Sequence, residues 1–595
     1  MSRRGEQRTV SETRERLTGL LLLLLSAGSL SSVPAPAHQP KTIHEENVVI
    51  PMRDGVRLRA DILRPSEGRS PTLVYRTPYG KHEALKDYTT FARAVERGYA
   101  VVVQDVRGRY ASDGEFRPYE NEGRDGYDTI EWAAGQPWSN GRVGTFGLSY
   151  PGAVQWLAAV ENPPHLEAMV PAMTFSTPQN FFYSGGIWDL SWFDWIWLNI
   201  APDVRVKKGL PPLARSDRGS WRLLKDKVLK TLPLDQMTEL RAVAPYYYEW
   251  LHHPPDDPYW NFAELRTKYD RTRAAVLNLS GWHDDNYGPE GATTNFVGLV
   301  RSRGGNTERA GLLVGPWTHG VDSTARTKFG ERDFGPTATI DYDDVVLGWM
   351  DRHLRGDKKE PPAAPVRYFV MGENRWREAS AWPPQGDLTT YYLAPGGSSE
   401  QAALTPAPPT QPAEPSRFVS DPAHPVVNPH GSAGAHDYRS LAGRRDVLTF
   451  DSDPMPRDVE VTGSIRVRIY ISCDCRDTDL WVRVLDVAPD GSAYNLMSPG
   501  MDAVRASYRE LEKGRQLLEP GRVYELTLGN MVTSNLFRRG HRVRAQVSAS
   551  FFPNFSRNLH TGELETVSSR MQRATIRVYH DPEHPSQILL PIAGR

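Results

Sequence analysis

The sequence predicts an α/β core with a mostly parallel sheet, a helical insertion over that core, and an all-β C-terminal module. From residue 46 to residue 354, short apolar strand-like runs alternate with helical patterns, which is typical of right-handed βαβ crossovers. Residues 176–270 interrupt this alternation with aromatic-rich helical segments. From Pro365 onward, short alternating strands are separated by turn residues, as in a jelly roll.

These changes of pattern set the expected domain boundaries. Residues 38–175 and 271–360 are predicted to form the core, residues 176–270 a helical cap, and residues 361–595 a jelly-roll β-sandwich. A chain of 595 residues is long enough for about three domains.

Charge and composition exclude some classes of partner. Lys and Arg total 71 against 72 Asp and Glu, so the net charge is −1 and no basic face for nucleic acid is expected. The 16 tryptophans and 25 tyrosines supply ample core and suit pockets for apolar or ring-bearing ligands.

The only two cysteines are Cys473 and Cys475. A C-x-C pair along one strand strains disulfide geometry, and no histidine stands near enough in sequence to complete a zinc site. We therefore expect two free structural thiols and a fold that holds without a disulfide.

Residues 1–37 have the composition of a signal peptide. A basic-leaning stretch precedes the leucine run Leu20 to Leu25, and Ala35-Pro36-Ala37 offers a cleavage site of the A-x-A kind. The apolar run is shorter than the roughly twenty residues that span a bilayer. The sequence predicts cleavage near Ala37, no stable membrane anchor, and a secreted or periplasmic protein; an uncleaved anchor is the alternative.

The elements of the predicted core follow in order. They are a hairpin over 46–65 around Asp54-Gly55, a strand at Pro71–Tyr75, a helix over 88–97 ended by Gly98, a buried strand at Tyr99–Val103, a helix at Asp125–Ala134, a strand at Gly141–Phe146, and later strands at Ala275–Leu279 and Gly311–Val314.

The segment Gly147-Leu148-Ser149-Tyr150-Pro151-Gly152 lies between a predicted strand and a predicted helix. A serine between small residues at such a junction is the pattern of the nucleophile elbow of the α/β-hydrolase fold. The second glycine stands one place later than in G-x-S-x-G. The alternative is a glycine-rich turn that contains an incidental serine.

A nucleophilic serine needs a base, and the base needs a carboxylate that holds its imidazole in place. In α/β-hydrolases these residues occur in the order serine, acid, histidine. Ser149, Asp284 and His319 occur in this order, and each follows a predicted strand.

Longer motifs resemble the cocaine-esterase/X-Pro dipeptidyl-peptidase (CocE/NonD) family of serine hydrolases. The similarity runs from about residue 45 to the end of the chain, and the family's own elbow motif, G-x-S-Y-x-G, accounts for the displaced glycine. The matching segments are RTPYGK at 76–81, QDVRGRYASDGEF at 104–116, GLSYPG at 147–152, GWHDD at 281–285, GPWTH at 315–319, EVTG at 460–463 and DTDLWVRVLDVAPDG at 477–491.

The resemblance implies a role for each matching residue. Ser149 would be the nucleophile, His319 the base and Asp284 the orienting acid. The hydroxyl of Tyr79 and the backbone N–H of Tyr150 would hold the oxyanion. The resemblance implies that the substrate is a small ester, an amide or a short peptide. It implies no cofactor and no metal.

The family's amino-ester hydrolases carry a Glu-Asp pair two and three residues after the acid, where this chain has Asn286 and Tyr287. Asp285, Asp189 or Asp194 could substitute for that pair. The departure favours an esterase or amidase for substrates with an apolar acyl or aryl part. The alternative is an X-Pro dipeptidyl-peptidase.

Two further alternatives stay open at this point. The chain could be a binding protein whose jelly roll binds a ligand and whose hydrolase core is inert. It could also be a metallohydrolase that uses His283, Asp284, Asp285 and His319. The sequence makes no prediction of oligomeric state.

Overall fold

The computed structural model describes residues 41–211, 221, 225, 227–357, 364–395 and 402–594. The predicted signal peptide at residues 1–37 lies outside these ranges. Within them, every helix is too short or too polar to cross a lipid bilayer.

The core is one mixed sheet with the strand order β1-β2-β4-β3-β5-β6-β9-β10-β13-β14. Strands β4, β3, β5, β6, β9, β10 and β13 are parallel, and the edges are antiparallel. The bounds are β1 Thr42–Pro51, β2 Arg57–Pro65, β3 Ser70–Thr77, β4 Ala100–Asp105, β5 Ser139–Leu148, β6 Leu166–Ala172, β9 Ala275–His283, β10 Ala310–Thr318, β13 Val366–Val370 and β14 Arg375–Ala379.

Helices connect these strands and cover the sheet. Their bounds are α1 Lys81–Asp87, α2 Thr90–Glu96, α3 Glu122–Ala134, α4 Tyr150–Ala159, α5 Ser191–Trp195, α6 Ala201–Lys207, α7 Pro245–Trp250, α8 Glu290–Ser302 and α9 Tyr342–Met350. Every residue of the apolar strand β4 is buried, as expected for the interior of a parallel sheet. The predicted hairpin forms between β1 and β2. Each core element named in the sequence analysis is present here with the predicted type.

The cap consists of α5 to α7, several 3-10 turns and the short hairpin β7 Tyr183–Ser184 with β8 Ile187–Trp188. Its aromatic side chains pack on one another; Phe182, for example, stacks on Trp192 with ring centroids 4.7 Å apart. The cap also contacts the C-terminal module, because Arg505 N–H donates to Gly185 O at 2.8 Å and Leu190 N–H to Asn554 O at 3.0 Å. Part of the predicted amphipathic cap segment 220–241 lies outside the described residues.

The C-terminal module is all-β, as predicted, and has its own apolar interior, to which Phe450, Ile469 and Val484 belong. A hairpin, β11 Lys328–Phe329 with β12 Arg332–Asp333, reaches this module from the core. The module's strands are β15 Gly386–Ala394, β16 Ala402–Thr405, β17 Ser416–Ser420, β18 Leu448–Ser452, β19 Val459–Cys473, β20 Asp479–Val487, β21 Ala493–Asn495, β22 Asp502–Arg505, β23 Tyr524–Phe537, β24 Arg542–Ser548, β25 Ala574–Tyr579 and β26 Gln587–Ala593.

One strand assigned to the sandwich belongs to the core. Val366–Val370 was predicted as a sandwich strand, but it pairs in parallel with β10, and β14 then pairs with it at the sheet edge. Alternation along a strand shows that one face is buried but not which sheet the strand joins, so the sequence could not separate these possibilities. The other domain boundaries stay predictions.

The prediction of two free thiols is wrong, because Cys473 and Cys475 form a disulfide. Strand β19 ends at Cys473 and the chain bends over the next residues. The bend brings the two Cα atoms to 5.2 Å, within the range that disulfides require. The sequence prediction assumed that the strand continued through both cysteines.

Candidate active site

Ser149 lies at a sharp turn between β5 and α4. Its backbone has φ 69° and ψ −129°, a conformation that costs free energy in a non-glycine residue and is concentrated at functional sites. The flanking glycines are required sterically: a Cβ on Gly147 would lie 2.6 Å from Pro151 Cβ, and one on Gly152 would lie 2.4 Å from Ala172 O. The turn is therefore built to present the serine, as the elbow pattern predicts.

Three strands bring the predicted triad to one edge of the sheet. Ser149 follows β5, Asp284 follows β9 and His319 follows β10. Strands β9 and β10 are adjacent, and only β6 separates them from β5. The carboxyl ends of parallel strands are where α/β sheets hold ligands.

His319 and Asp284 form the expected hydrogen bond. His319 Nδ1 is 2.9 Å from Asp284 Oδ1, which also accepts the N–H groups of Asn286 at 3.0 Å and Tyr287 at 3.4 Å. The Asp284 side chain is fully buried, whereas 18% of His319 is exposed. With Nδ1–H bound to the carboxylate, Nε2 is the imidazole atom available to take the proton of a serine hydroxyl.

The environment of His319 suits a general base. Burial lowers the pKa of its imidazole, but the charge of Asp284 and the hydrogen bond to it, together with the charge of Asp285, outweigh burial and raise the pKa above its ordinary value. The carboxylate therefore both orients the ring and stabilises the imidazolium that proton transfer would create.

The Tyr79 hydroxyl interacts with the Ser149 side chain. Its oxygen accepts the indole N–H of Trp195 at 3.1 Å. Burial raises the pKa of Tyr79 to about 12, although the contacts with Trp195 and Ser149 partly oppose this shift. The phenol is therefore a protonated donor beside the serine at neutral pH.

The loop that carries Tyr79 is tied to the cap by a buried arginine. Arg109 Nε donates to Pro78 O at 2.8 Å, and its terminal nitrogens donate to Ile200 O at 2.9 Å and Asn199 O at 3.1 Å. Arg109 belongs to the QDVRGRY segment, for which the sequence suggested no individual role. The structure shows that it positions the Tyr79 loop.

Tyr150 is the first residue of α4, so its N–H has no acceptor within the helix and is available to a ligand. Its side chain is buried: the hydroxyl donates to Glu122 Oε1 at 2.7 Å and accepts Tyr119 N–H at 3.0 Å. Glu122 in turn pairs with Arg76 at 2.8 Å. This buried network fixes the first turn of α4.

Tyr287 is a site residue that the sequence analysis missed. Its hydroxyl interacts with Ser149 and lies 3.2 Å from the Tyr119 hydroxyl. Its ring stacks on Phe181 at 5.0 Å and lies 5.7 Å from the His319 ring. Its position three residues after Asp284 could have indicated a place in the site. That position was interpreted only as a departure from the amino-ester pattern.

The three acidic residues named as substitutes for that pattern lie in different places. Asp189 and Asp285 line a cleft that also includes Tyr287 and Glu290. Asp194 instead pairs with Lys225. Only the first two therefore face the cleft next to the site.

The residues named for a metallohydrolase do not converge. His283 turns its Nδ1 toward Ser498 Oγ at 3.3 Å, while Asp284 faces His319. Among the described residues, these four do not form a group that could hold a metal ion.

The chain matches known proteins along most of its length. Residues 54–321 match the X-Pro dipeptidyl-peptidase (S15) family, and residues 360–589 match the X-Pro dipeptidyl-peptidase C-terminal non-catalytic domain. The chain is 33% identical to the cocaine esterase of a Rhodococcus species over 581 residues, which cover 92% of this chain and 98% of that protein.

Solved structures are similar over nearly the whole chain. An α-amino acid ester hydrolase is 25% identical with a TM-score of 0.74, over 95% of this chain and 99% of that one. An aminopeptidase from a marine sediment archaeon of the Thaumarchaeota has a TM-score of 0.79, over 96% of this chain and 100% of that one. Its sequence identity is 23%, so this similarity shows a shared fold alone. The chain is a serine hydrolase of the α/β-hydrolase fold. It belongs to the CocE/NonD family, whose members resemble cocaine esterase and X-Pro dipeptidyl-peptidase.

Proposed function

We propose that this protein hydrolyses small carboxylic esters, or amides, through an acyl-enzyme formed on Ser149. His319 is the general base and Asp284 holds its imidazole. The observation that carries the proposal is the His319–Asp284 hydrogen bond of 2.9 Å at the same sheet edge as the strained Ser149 turn. The Tyr79 hydroxyl and the Tyr150 N–H are the proposed oxyanion donors.

Each residue has a defined step. Ser149 Oγ attacks the substrate carbonyl while its proton passes to His319 Nε2, and the carbonyl oxygen becomes an oxyanion next to the two donors. The C–O bond to the leaving alcohol then breaks, and His319 returns the proton to that alcohol. Water attacks the acyl-enzyme by the same route, which releases the acid and restores Ser149.

The walls around Ser149 support an ester with an apolar acyl or aryl part. Tyr79 and Tyr287 both interact with Ser149; Trp195 donates to the first, and Phe181 stacks on the second. Aromatic surroundings favour apolar or ring-bearing groups. The similarity to a cocaine esterase also supports an ester substrate.

Labelling with a fluorophosphonate probe tests the nucleophile. We expect one covalent adduct on Ser149 in the folded protein, and none in the Ser149→Ala variant, which should also lose ester turnover. Ser302→Ala is the matched control, because that hydroxyl caps the end of α8 by donating to Leu299 O at 2.8 Å and is expected to leave labelling unchanged. Folded wild-type protein without an adduct would support the alternative, a binding protein with an inert core.

Release of X-Pro dipeptides is the second candidate, and the acidic cleft supports it. A free N-terminal ammonium needs carboxylates near the scissile bond, and Asp189, Asp285 and Glu290 line the cleft together with Tyr287. Burial raises the pKa of Asp189 to about 6, with hydrogen bonds from Ser191 opposing the shift, so this carboxylate is largely charged at neutral pH.

A substrate screen separates the two candidates. We expect p-nitrophenyl esters of short apolar acids to have a much higher kcat/KM than Xaa-Pro-p-nitroanilides, and Asp189→Asn to change ester turnover little. The opposite ranking, with Asp189→Asn impairing the anilide alone, would support the dipeptidyl-peptidase.

We also propose that residues 1–37 direct export to the periplasm or the medium. The basic-leaning start, the leucine run and Ala35-Pro36-Ala37 support this. Expression of the full chain in a bacterial host, followed by mass spectrometry of the exported fraction, tests it. The mature chain is expected to begin near His38, and a full-length cytoplasmic product would contradict the proposal.

A further inference from the structure

A contact between the core and the C-terminal module brings two histidines to a glutamate, away from the proposed active site. Glu331 lies in the turn between β11 and β12, and its N–H donates to Ala435 O at 2.8 Å. Ala435 N–H donates back to Phe329 O at 3.2 Å. This backbone pairing places the Glu331 side chain against His430 and His436, which lie between β17 and β18.

The three side chains present their ligand atoms to one another. Glu331 Oε1 is 3.3 Å from His436 Nδ1 and 4.0 Å from His430 Nδ1. The two imidazoles are stacked, with ring centroids 4.4 Å apart and planes inclined by 13°. In the part of the chain that the structure describes, this is the one group of three or more such residues whose ligand atoms converge within 4.8 Å.

The far side of each ring fixes which nitrogen carries the proton. His436 Nε2 is 2.8 Å from Ser432 O, and His430 Nε2 is 3.1 Å from Asp437 O. A carbonyl oxygen can only accept, so both Nε2 atoms carry hydrogen. In a neutral imidazole the lone pair then lies on Nδ1, and both Nδ1 atoms face Glu331.

The two Nδ1 lone pairs and the Glu331 carboxylate face one another, and a positive charge between them would stabilise this arrangement. A single proton on His436 Nδ1 could satisfy Glu331, but the Nδ1 of His430 would remain without a donor. Protonation of both rings would place two stacked cations 4.4 Å apart. A metal ion satisfies all three groups at once, and donation of the distal N–H to a backbone carbonyl is the usual support of a metal-binding histidine.

We propose that Glu331, His430 and His436 bind a divalent transition-metal ion, with Zn²⁺ as the best match. Two imidazoles and one carboxylate suit zinc, whereas Ca²⁺ and Mg²⁺ prefer all-oxygen sites. Ligands at zinc bond lengths in a tetrahedron lie about 3.3 Å apart. The Glu331–His436 distance already matches this value, and the Glu331–His430 distance of 4.0 Å requires a contraction of about 0.7 Å. The two nearly parallel imidazoles must also tilt relative to one another so that both lone pairs meet one ion. Glu331 Oε1 keeps its hydrogen bond from the Asp437 N–H at 3.3 Å.

The site joins two modules rather than serving the hydrolytic reaction. Glu331 comes from the core and both histidines come from the C-terminal module, so the ion links them. The glutamate is 45% exposed and provides an entry path, while His430 and His436 are 19% and 9% exposed. With three protein ligands, a water molecule completes the tetrahedron.

Metal titration of the purified full chain tests the proposal. Protein stripped with a chelator and transferred to metal-free buffer is expected to bind one Zn²⁺ per chain from ZnCl₂ in calorimetry, and to retain it through gel filtration. Free Zn²⁺ at about 100 times its Kd should raise Tm by about 2 °C for a chain of this length. Neither readout uses turnover.

Variants locate the bound ion. Glu331→Gln, His430→Gln and His436→Gln are each expected to weaken Zn²⁺ binding at least about 100-fold and to abolish the Tm shift. His424→Gln is the matched control, because His424 lies 3.2 Å from Asp421 on the surface with 81% of its side chain exposed, and it should bind Zn²⁺ like the wild type.

The proposal is wrong if the wild type binds no stoichiometric Zn²⁺, in which case the site is a His436–Glu331 ion pair. It is also wrong if the three site variants bind Zn²⁺ as tightly as the wild type does. If a variant fails to fold, the absorption spectrum of Co²⁺ added to metal-free wild-type protein tests the site instead. Intense absorption from four-coordinate Co²⁺ supports the site, and the weak absorption of the hydrated ion contradicts it.

Discussion

Removal of one hydroxyl tests the proposed oxyanion hole. Tyr79→Phe deletes the donor beside Ser149 and keeps the ring, and the Trp195 indole N–H then loses its acceptor. One donor aimed at a developing oxyanion contributes about 3–4 kcal/mol, and about 1.4 kcal/mol corresponds to a tenfold change in rate. We therefore expect kcat to fall by roughly 10²–10³ with little change in KM, because the oxyanion exists only after attack.

Tyr287→Phe is the matched variant, because its hydroxyl also interacts with Ser149 but lies 3.2 Å from the Tyr119 hydroxyl. We expect it to lower kcat by less than about tenfold, since its hydroxyl is also engaged by the Tyr119 hydroxyl. Steady-state hydrolysis of a p-nitrophenyl ester measures both variants, and thermal melts check that each is folded.

The pH profile supplies an independent check on Tyr79. Burial raises its pKa to about 12, so the phenol stays protonated across the range in which the enzyme is assayed. The ratio of wild-type to Tyr79→Phe kcat should therefore stay constant from about pH 6 to about pH 10. A ratio within about twofold of one, or a larger loss in Tyr287→Phe, would refute the assignment of Tyr79 to the oxyanion hole.

Two further changes test the base and the elbow. Burial lowers the pKa of His319, but Asp284 raises it more. Wild-type kcat/KM should therefore fall as the pH decreases, with a midpoint above about 6.5. Asp284→Asn should move that midpoint to lower pH and reduce kcat by a factor of about 10⁴. An unmoved midpoint would show that the acid limb belongs to another group. Gly152→Ala would place a Cβ 2.4 Å from the Ala172 carbonyl oxygen and should destabilise the fold by about 1–3 kcal/mol in denaturant melts. Gly348→Ala in α9 meets open space and should be neutral or slightly stabilising, and equal losses in both variants would contradict the steric explanation.

The sequence predicted the parts of the site that chain order and strand pattern encode. Ser149, Asp284 and His319 each follow an apolar run, and parallel strands bring their carboxyl ends to one edge. The structure brings the acid and the histidine into hydrogen-bond contact there. Their catalytic roles stay predictions until the serine is labelled.

Features that depend on how distant segments meet were beyond the sequence. The interaction of Tyr287 with Ser149 follows from how the chain turns after β9, and no local pattern reports that turn. Glu331 and the two histidines that face it are separated by about a hundred residues or more, and only the pairing between modules brings them together. The edge strand β13 was placed in the wrong sheet for the same reason, because its pattern shows a buried face without showing the partner.

The cap and the proposed oxyanion hole are mechanically linked, which limits how independently substrate choice and turnover can change. Trp195 of α5 donates to the Tyr79 hydroxyl, and Arg109 ties the carbonyl of Pro78 to those of cap residues 199 and 200. A cap rearrangement that moves Trp195 would therefore also displace a proposed oxyanion donor. Because catalytic donors act only when held within a few tenths of an ångström, such changes should appear in kcat as well as in KM.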